Sequence, residues 1–465
     1  MALWTAWLAA VTQLRNASSN RRNFMWFVVV LAGMSIRRDL LGVTSIVRVL
    51  GLNENCYHPL LRFFHSSAMN LQKLTELWVS LTLKLFKKVI VNERYLIIGD
   101  GIKIAKSGKK MPAVKGLHQV SSSNTKPEFI MGHSCQAIAL LAQGRGTHFA
   151  VPLASRIHEG LVHSDIPKQT LSEKMIALLK SLKLDRSFYL VLDAFYSNRK
   201  IIKGILGMLE HLVVRIRNNA VAYYPAPRPE KPSRGRPKIY GEKVKLGTIF
   251  QKLNFFIAAK SPIYGQKNVE ILYYSLDLIW KPRGGLVRFV FVIDPQHGKF
   301  ILMSTDLTLN PLDVVRIYGF RFKIEVSFKS ALRILGAYSY RFWSKLMNLN
   351  RRGSGDQNLD EKSENYCKAI FKKLLAYELY IQTGLIAQGL LQYLCATFLK
   401  TVWECFGSWM RTIRDDISPS EQVTSTALRY SLPEFLKDSS DDSNFKKFMK
   451  QKIDVNRSDG IKFAS

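Results

Sequence analysis

Phe188-Tyr-Leu-Val-Leu-Asp193 is the stretch on which the fold turns. A run of apolar residues closed by an acid reads as a short strand buried on both faces, of the kind found in sheets covered by helices. Working outward, Tyr95-Leu-Ile-Ile-Gly-Asp100 has the same form. His148-Phe-Ala-Val-Pro-Leu153 and Leu212-Val-Val-Arg-Ile216 are further strand candidates. Between them, Ser172–Leu182 and Asn198–Leu209 carry helical periodicity. Residues 91–216 are therefore expected to be α/β, with strands and helices around one central sheet.

The flanks read differently. Residues 1–90 are helical in pattern, with basic residues such as Arg37, Arg38, Arg48, Arg62, Lys87 and Lys88 between the apolar positions. Thr44-Ser45 can cap a short helix from Ile46 that Gly51 ends, before a second apolar run from Tyr57 to Phe64. That pattern suits a helix-turn-helix and equally suits any small bundle. Tyr223–Tyr240 holds five prolines and reads as an extended loop. Beyond it, Val244–Ala258, Val269–Leu276, Leu286–Ile293 and Phe300–Met303 are β-type, so residues 217–310 form a β-rich insertion. Leu312–Leu335 returns to helix, Asn348–Asn365 is a polar loop, and Lys368 to Arg411 is helical again, giving a second core segment over 311–413. The Ser- and Asp-rich tail, 414–465, is expected to be flexible.

Of the 465 residues, 47% are hydrophobic and 22% charged, which is globular composition. Lys and Arg number 68 against 35 Asp and Glu, a net charge of +33. Such an excess repels itself unless a polyanion neutralises it, and nucleic acid or an anionic membrane surface are the two candidates. Phe24–Met34 is the longest clean apolar run near the start, too short to cross ~30 Å of hydrocarbon. Leu374–Trp409 is broken by Glu378, Gln382, Gln388, Gln392, Lys400 and Glu404, as in a buried amphipathic helix. The start of the chain lacks the basic flank of a leader peptide. No membrane partner is expected, and nucleic acid remains. Five widely spaced cysteines, with no C-x-x-C, point to a reducing compartment rather than a disulfide framework or zinc ribbon. The absence of a Walker-type glycine loop gives no support for ATP use.

Three acids have positions that suit chemistry. Asp100 and Asp193 each close a strand, where a carboxylate faces the crevice at a sheet rim. Glu325 lies in a helix after the insertion. Two strand-end aspartates and a third carboxylate can hold two hard cations. Cations ~4 Å apart activate water and stabilise a leaving 3′ oxygen. Each acid also has a structural reading, as a turn residue or helix cap. In Tyr318-Gly-Phe-Arg321-Phe-Lys-Ile-Glu325-Val-Ser-Phe-Lys329-Ser-Ala-Leu-Arg333, the residues Tyr318, Arg321, Glu325 and Lys329 fall on one helical face. That spacing suits a metal-binding Glu flanked by phosphate-binding cations, or simply an i,i+4 Arg–Glu pair worth ~0.3 kcal/mol.

The order strand-Asp, strand-Asp, β insertion, Tyr-x2-Arg-x3-Glu resembles the DDE transposases of bacterial insertion sequences, in the group related to insertion sequence 4. The signature of that group is Tyr-(2)-Arg-(3)-Glu-(6)-Lys. Tyr318, Arg321 and Glu325 match it, whereas Leu332 stands at the final Lys position, with Lys329 and Arg333 nearby as basic substitutes. Leu302-Met-Ser-Thr-Asp306-Leu is similar to the stretch preceding this helix, and Asp100-Gly-Ile-Lys103 with Lys106, Lys109 and Lys110 to the first-Asp region. The likeness covers residues 91–345.

The resemblance implies an RNase H-like mixed-sheet catalytic core with a helical, DNA-binding N-terminal region. It implies Asp100, Asp193 and Glu325 as catalytic and metal-binding residues for two Mg²⁺ ions, with Mn²⁺ as a substitute. The reaction would be DNA cleavage at element ends followed by strand transfer. Partners would be double-stranded DNA, as terminal inverted repeats and target, bound by a dimer in the nucleoid of a prokaryotic cytoplasm. An inactive DNA-binding remnant, or an RNase H-like endonuclease without strand transfer, are the alternatives. Tyr318, Arg321, Lys329 and Arg333 are the expected DNA contacts in the core. Arg234-Gly-Arg236-Pro, followed by Lys238, has the form of a minor-groove hook or a phosphate-contacting loop. Trp280 is the candidate for stacking on a hairpin base, against the alternative of a core tryptophan. His133 is read as structural.

Overall fold

The computed structural model describes residues 2–119, 127–227, 238–407, 412–414, 416–438, 443–454 and 456. Its centre is built from five strands: β1 (Arg94–Ala105), β2 (Phe129–Gly144), β3 (Thr147–Ile157), β4 (Phe188–Leu192) and β5 (His211–Ile216). β3 pairs antiparallel with β2, and β2 with β1. β1 then pairs parallel with β4, and β4 parallel with β5. The spatial order 3-2-1-4-5, with strands 1, 4 and 5 parallel, is the RNase H-like arrangement expected from the sequence. Every residue of β4 is buried.

Successive residues of a strand point to opposite faces, and two helical layers exploit this. Ile97, Leu190, Leu192, Leu212 and Val214 share a core with α6 (Leu171–Ser181) and α7 (Arg199–Leu206). Thr170 and Glu173 close a capping box at the start of α6. Leu96, Ile98, Tyr189, Val191 and Val213 pack on the other face against α8 (Pro311–Gly319) and α9 (Lys323–Ser330).

The β-rich insertion does not stand apart from this sheet. It comprises β6 (Val221–Pro225), β7 (Tyr240–Lys245), β8 (Glu270–Trp280) and β9 (Gly285–Asp294), followed by β10 (Gly298–Ser304). β10 lies antiparallel to β5 and carries the sheet outward through β9 and β8 to β6 and β7. Tyr189 Oη donates to Asp306 Oδ2 at 2.6 Å, tying β4 to the segment that leads into α8.

The N-terminal helices are α1 (Ala2–Thr12), α2 (Arg21–Ile36), α3 (Val43–Val49), α4 (Tyr57–Phe64) and α5 (Leu71–Leu85). They share one core with α10 (Glu364–Thr397), α11 (Leu399–Phe406), α12 (Glu421–Lys437) and α13 (Asn444–Lys452). The apolar run at Phe24–Met34 is thus the buried centre of α2. No single helix among the described residues is long and apolar enough to cross a membrane. Gly389 of α10 makes room for the ring of Trp78, whose Nε1 donates to Pro152 O at 2.8 Å and joins bundle to sheet.

Two expectations are corrected here. The tail is not a free segment over its described part, because α12 and α13 pack on the N-terminal helices. Trp4 Nε1 donates to Leu428 O at 2.9 Å, and Leu52 bridges Ile453. Its polar composition conceals apolar positions, among them Val423, Ala427, Leu428, Leu432, Phe435, Phe445 and Met449, that gain a core only from distant partners. The Leu312–Leu335 helix is also not continuous. It breaks after Gly319 and resumes at Lys323, and its last turn, Ala331–Leu335, widens to a π-helix.

Candidate active site

Strand register brings the two aspartates together. Tyr95 to Ile98 of β1 pair in step with Phe188 to Val191 of β4. Two residues further along each strand stand Asp100 and Asp193, level with one another on neighbouring strands about 4.8 Å apart. Both follow the side-chain parity of Ile98 and Val191, so they lie on the face that α8 and α9 cover. Asp100 does not end its strand, as the sequence suggested. β1 runs on to Ala105, held by β2. What ends is β4, at Leu192. Asp193 caps the short 3₁₀ turn Ala194–Tyr196, its Oδ1 accepting from the Phe195 amide at 3.1 Å. Beneath them, Gln136 Nε2 donates to Tyr196 Oη at 2.8 Å.

Glu325 arrives from the opposite layer. Val314, Val315 and Ile317 of α8 and Ile324 of α9 are buried, which fixes both helices on the sheet. Arg321 sits in the break between them. Its guanidinium donates to Asp100 Oδ2 at 2.9 Å and to Glu325 Oε1 at 2.5 Å. The i,i+4 pair expected from the sequence is present, and a third partner, more than two hundred residues earlier, joins it. Asp100 and Arg321 are largely buried, whereas Glu325 is 60% exposed.

Burial pushes the Asp100 carboxyl up to about 6, even though Arg321 pulls it down, and the charges of Asp193 and Glu325 raise it further. Arg321 is desolvated too, yet Asp100 and its other anionic neighbours outweigh that and hold it more firmly protonated. Burial also raises the Tyr318 phenol, with Arg321 and Arg215 opposing and Asp193 and Asp100 adding to it. Asp100 therefore feels the other two acids, and the guanidinium compensates its burial incompletely.

The donor set, three carboxylates, is the chemistry of a hard divalent cation. The arrangement is not a ready-made cage. Among the described residues no three acidic, histidine or cysteine side chains converge on one metal position, and Arg321 stands between Asp100 and Glu325.

The other sequence candidates fall in different places. Lys329 on α9 and Arg333 on the π-helical turn are exposed, and Leu332 is half-buried between them. Lys238 is exposed ahead of β7, while Arg234 and Arg236 lie outside the described residues. Trp280 is not a surface stacking residue: it is buried, edge-on to Phe289 at 6.2 Å between ring centres. His133 is buried with both ring nitrogens engaged, by Tyr340 Oη at 2.6 Å and Pro112 O at 2.8 Å, and burial pushes it down to about 3. Tyr196 and Gln136 were missed by the sequence reading. Tyr196 carried only the signal of closeness to Asp193, and Gln136 carried none.

A family model described as DDE superfamily endonuclease matches residues 13–252, half of the chain. The chain belongs to this family. The matched segment contains Asp100 and Asp193 and stops before Glu325. No curated protein matches the sequence. Among solved structures, the piggyBac transposase in its synaptic complex with hairpin DNA is similar over 95% of this chain and 78% of that one, at 9% identity and a TM-score of 0.36.

Proposed function

We propose that this DDE superfamily endonuclease is a transposase of the type related to insertion sequence 4, cutting DNA at element ends and joining the freed 3′ end to a target. The observation that carries the reading is the meeting of Asp100, level with Asp193, and Glu325 on one guanidinium. Asp100, Asp193 and Glu325 would hold two Mg²⁺ or Mn²⁺ ions, which supply activation of the attacking oxygen and stabilisation of the leaving one. Arg321, freed from the carboxylates, reaches the phosphate that enters beside them. Lys329 and Arg333, exposed along the same helical segment, and Tyr318 border the path of the DNA strand, and Lys238 adds a contact from the insertion. Two ends held together call for a dimer on DNA, working at the nucleoid of a prokaryotic cell.

The test is cleavage of a duplex carrying the terminal repeats that flank the gene, with and without Mg²⁺. Asp100→Asn, Asp193→Asn and Glu325→Gln should each abolish cleavage and leave binding of the duplex intact. Cleavage without joining would leave an endonuclease only, and binding without cleavage an inactive remnant. Full cleavage by Asp193→Asn would overturn the site.

A further inference from the structure

Past Asp100, β1 runs into the wall of a cleft of about 780 Å³. The helical segment that carries Glu325 reaches the same wall at Leu332. At ~3.3 Å per strand residue and ~1.5 Å per helical residue, the cleft begins on the order of 10–20 Å from the two acids. Five basic residues line it, Lys103, Lys106, Lys109, Lys110 and Arg341, and no Asp or Glu does; burial pushes the Lys106 amine down to about 7, so the other four carry the charge. Lys109, Lys110 and Arg341 have no acidic partner among the described residues. Beside them Trp343 is 55% exposed, an unusual setting for so large an apolar ring. The walls are fixed rather than loose. The Ser344 amide donates to Lys110 O at 3.0 Å and the Asn350 amide to Lys109 O at 2.7 Å. Lys106 lies over the Tyr340 ring at 3.5 Å and donates to the Tyr338 and Tyr340 carbonyls.

A cleft of cations without counter-charge, edged by an exposed indole, has the chemistry of a single-stranded nucleic acid site: cations follow the phosphates and a ring stacks on an unpaired base. Duplex DNA hides its base faces and would leave Trp343 unused. A protein partner would need an acidic surface to match the basic residues. We propose that this cleft binds an unpaired stretch of a DNA strand, with Lys109, Lys110 and Arg341 on its backbone and a base stacked on Trp343. The proposal rests on DNA being the substrate, but not on cleavage.

The experiment uses the full chain in chelator, so that no cleavage intervenes. Binding of a fluorescein-labelled oligo(dT) of about twelve nucleotides is compared with binding of a duplex of the same length. Trp343→Ala should weaken oligo(dT) binding roughly 5- to 150-fold, the range for losing one stacked base. Duplex affinity should change less than about twofold. Trp343→Phe should restore most of the loss, and the melting temperature should stay within a degree or so, because the side chain is mostly in solvent. A combined Lys109→Ala and Lys110→Ala variant should weaken oligo(dT) binding and flatten its salt dependence. Unchanged oligo(dT) binding in Trp343→Ala, or an equal loss on duplex, would overturn the assignment. If the acid variants leave cleavage intact while oligo(dT) binding still needs Trp343, the cleavage reading fails and this one stands.

Discussion

Replacing Asp100 by Asn should stabilise the metal-free protein, and only above the pH range of ordinary carboxylates. Burial, reinforced by Asp193 and Glu325 and opposed by Arg321 and the Gly101 amide, moves this carboxyl from 3.8 to about 6 in the folded chain. Below about pH 4 the group is protonated in both folded and unfolded chains and contributes nothing. As pH rises through 4 to 6 the unfolded chain gives up its proton first, so folding loses stability, and above about pH 6 the loss is complete. About two pH units at ~1.4 kcal/mol each sets an upper limit of about 3 kcal/mol. Asp100→Asn removes that cost while keeping an oxygen for Arg321 to bind. Urea denaturation in EDTA should show the variant more stable by about 1–3 kcal/mol near pH 8, the range implied by that limit, and equal to the wild type near pH 4. Adding millimolar Mg²⁺ should raise the wild type through binding to the folded state and leave the variant where it was. A variant less stable near pH 8 in EDTA, or a difference that does not change with pH, would refute the reasoning.

Further outcomes follow from the same geometry. Arg321→Ala leaves Asp100 and Glu325 without their shared cation and should cost up to about 3 kcal/mol near pH 8, read from urea denaturation, because one partner of a buried pair is stranded. Asp193→Asn should keep its melting temperature, since Asn caps the Ala194–Tyr196 turn as well as Asp does, while cleavage disappears. Trp280→Ala should lower stability by about 3–5 kcal/mol as a core truncation, without a selective loss of any hairpin step in a gel assay. The affinity for DNA should fall roughly 10³-fold or more between 50 and 200 mM salt if about 6–10 phosphates are contacted, and a flat response would sink the nucleic-acid assignment.

What the sequence made legible depended on whether the signal was local. The β4 run Phe188–Leu192 and the β1 run from Tyr95 are unbroken apolar stretches of strand length, closed by turn-type residues, and both are strands buried in the sheet. The i,i+4 pairing of Arg321 with Glu325 could likewise be read from spacing alone. Register could not. That Tyr95 pairs with Phe188, and not with a neighbour, is set by packing against α6, α7, α8 and α9 together, and one residue of slip would send Asp100 and Asp193 to opposite faces. The helix break at Phe320–Phe322 was hidden for a related reason. The segment has no proline, and Gly319 is its single stop signal, yet without the break Arg321 would lie on an uninterrupted helix. The tail failed most plainly, because Val423, Leu428 and Phe435 are sparse among polar residues and acquire meaning only beside Trp4 and Trp7 at the other end of the chain. The three candidate acids were thus legible and grouped as one expected site, whereas the contact of Asp100 and Glu325 with one guanidinium was not. That meeting depends on a 93-residue offset between two strands and a helix reaching the sheet from beyond the insertion.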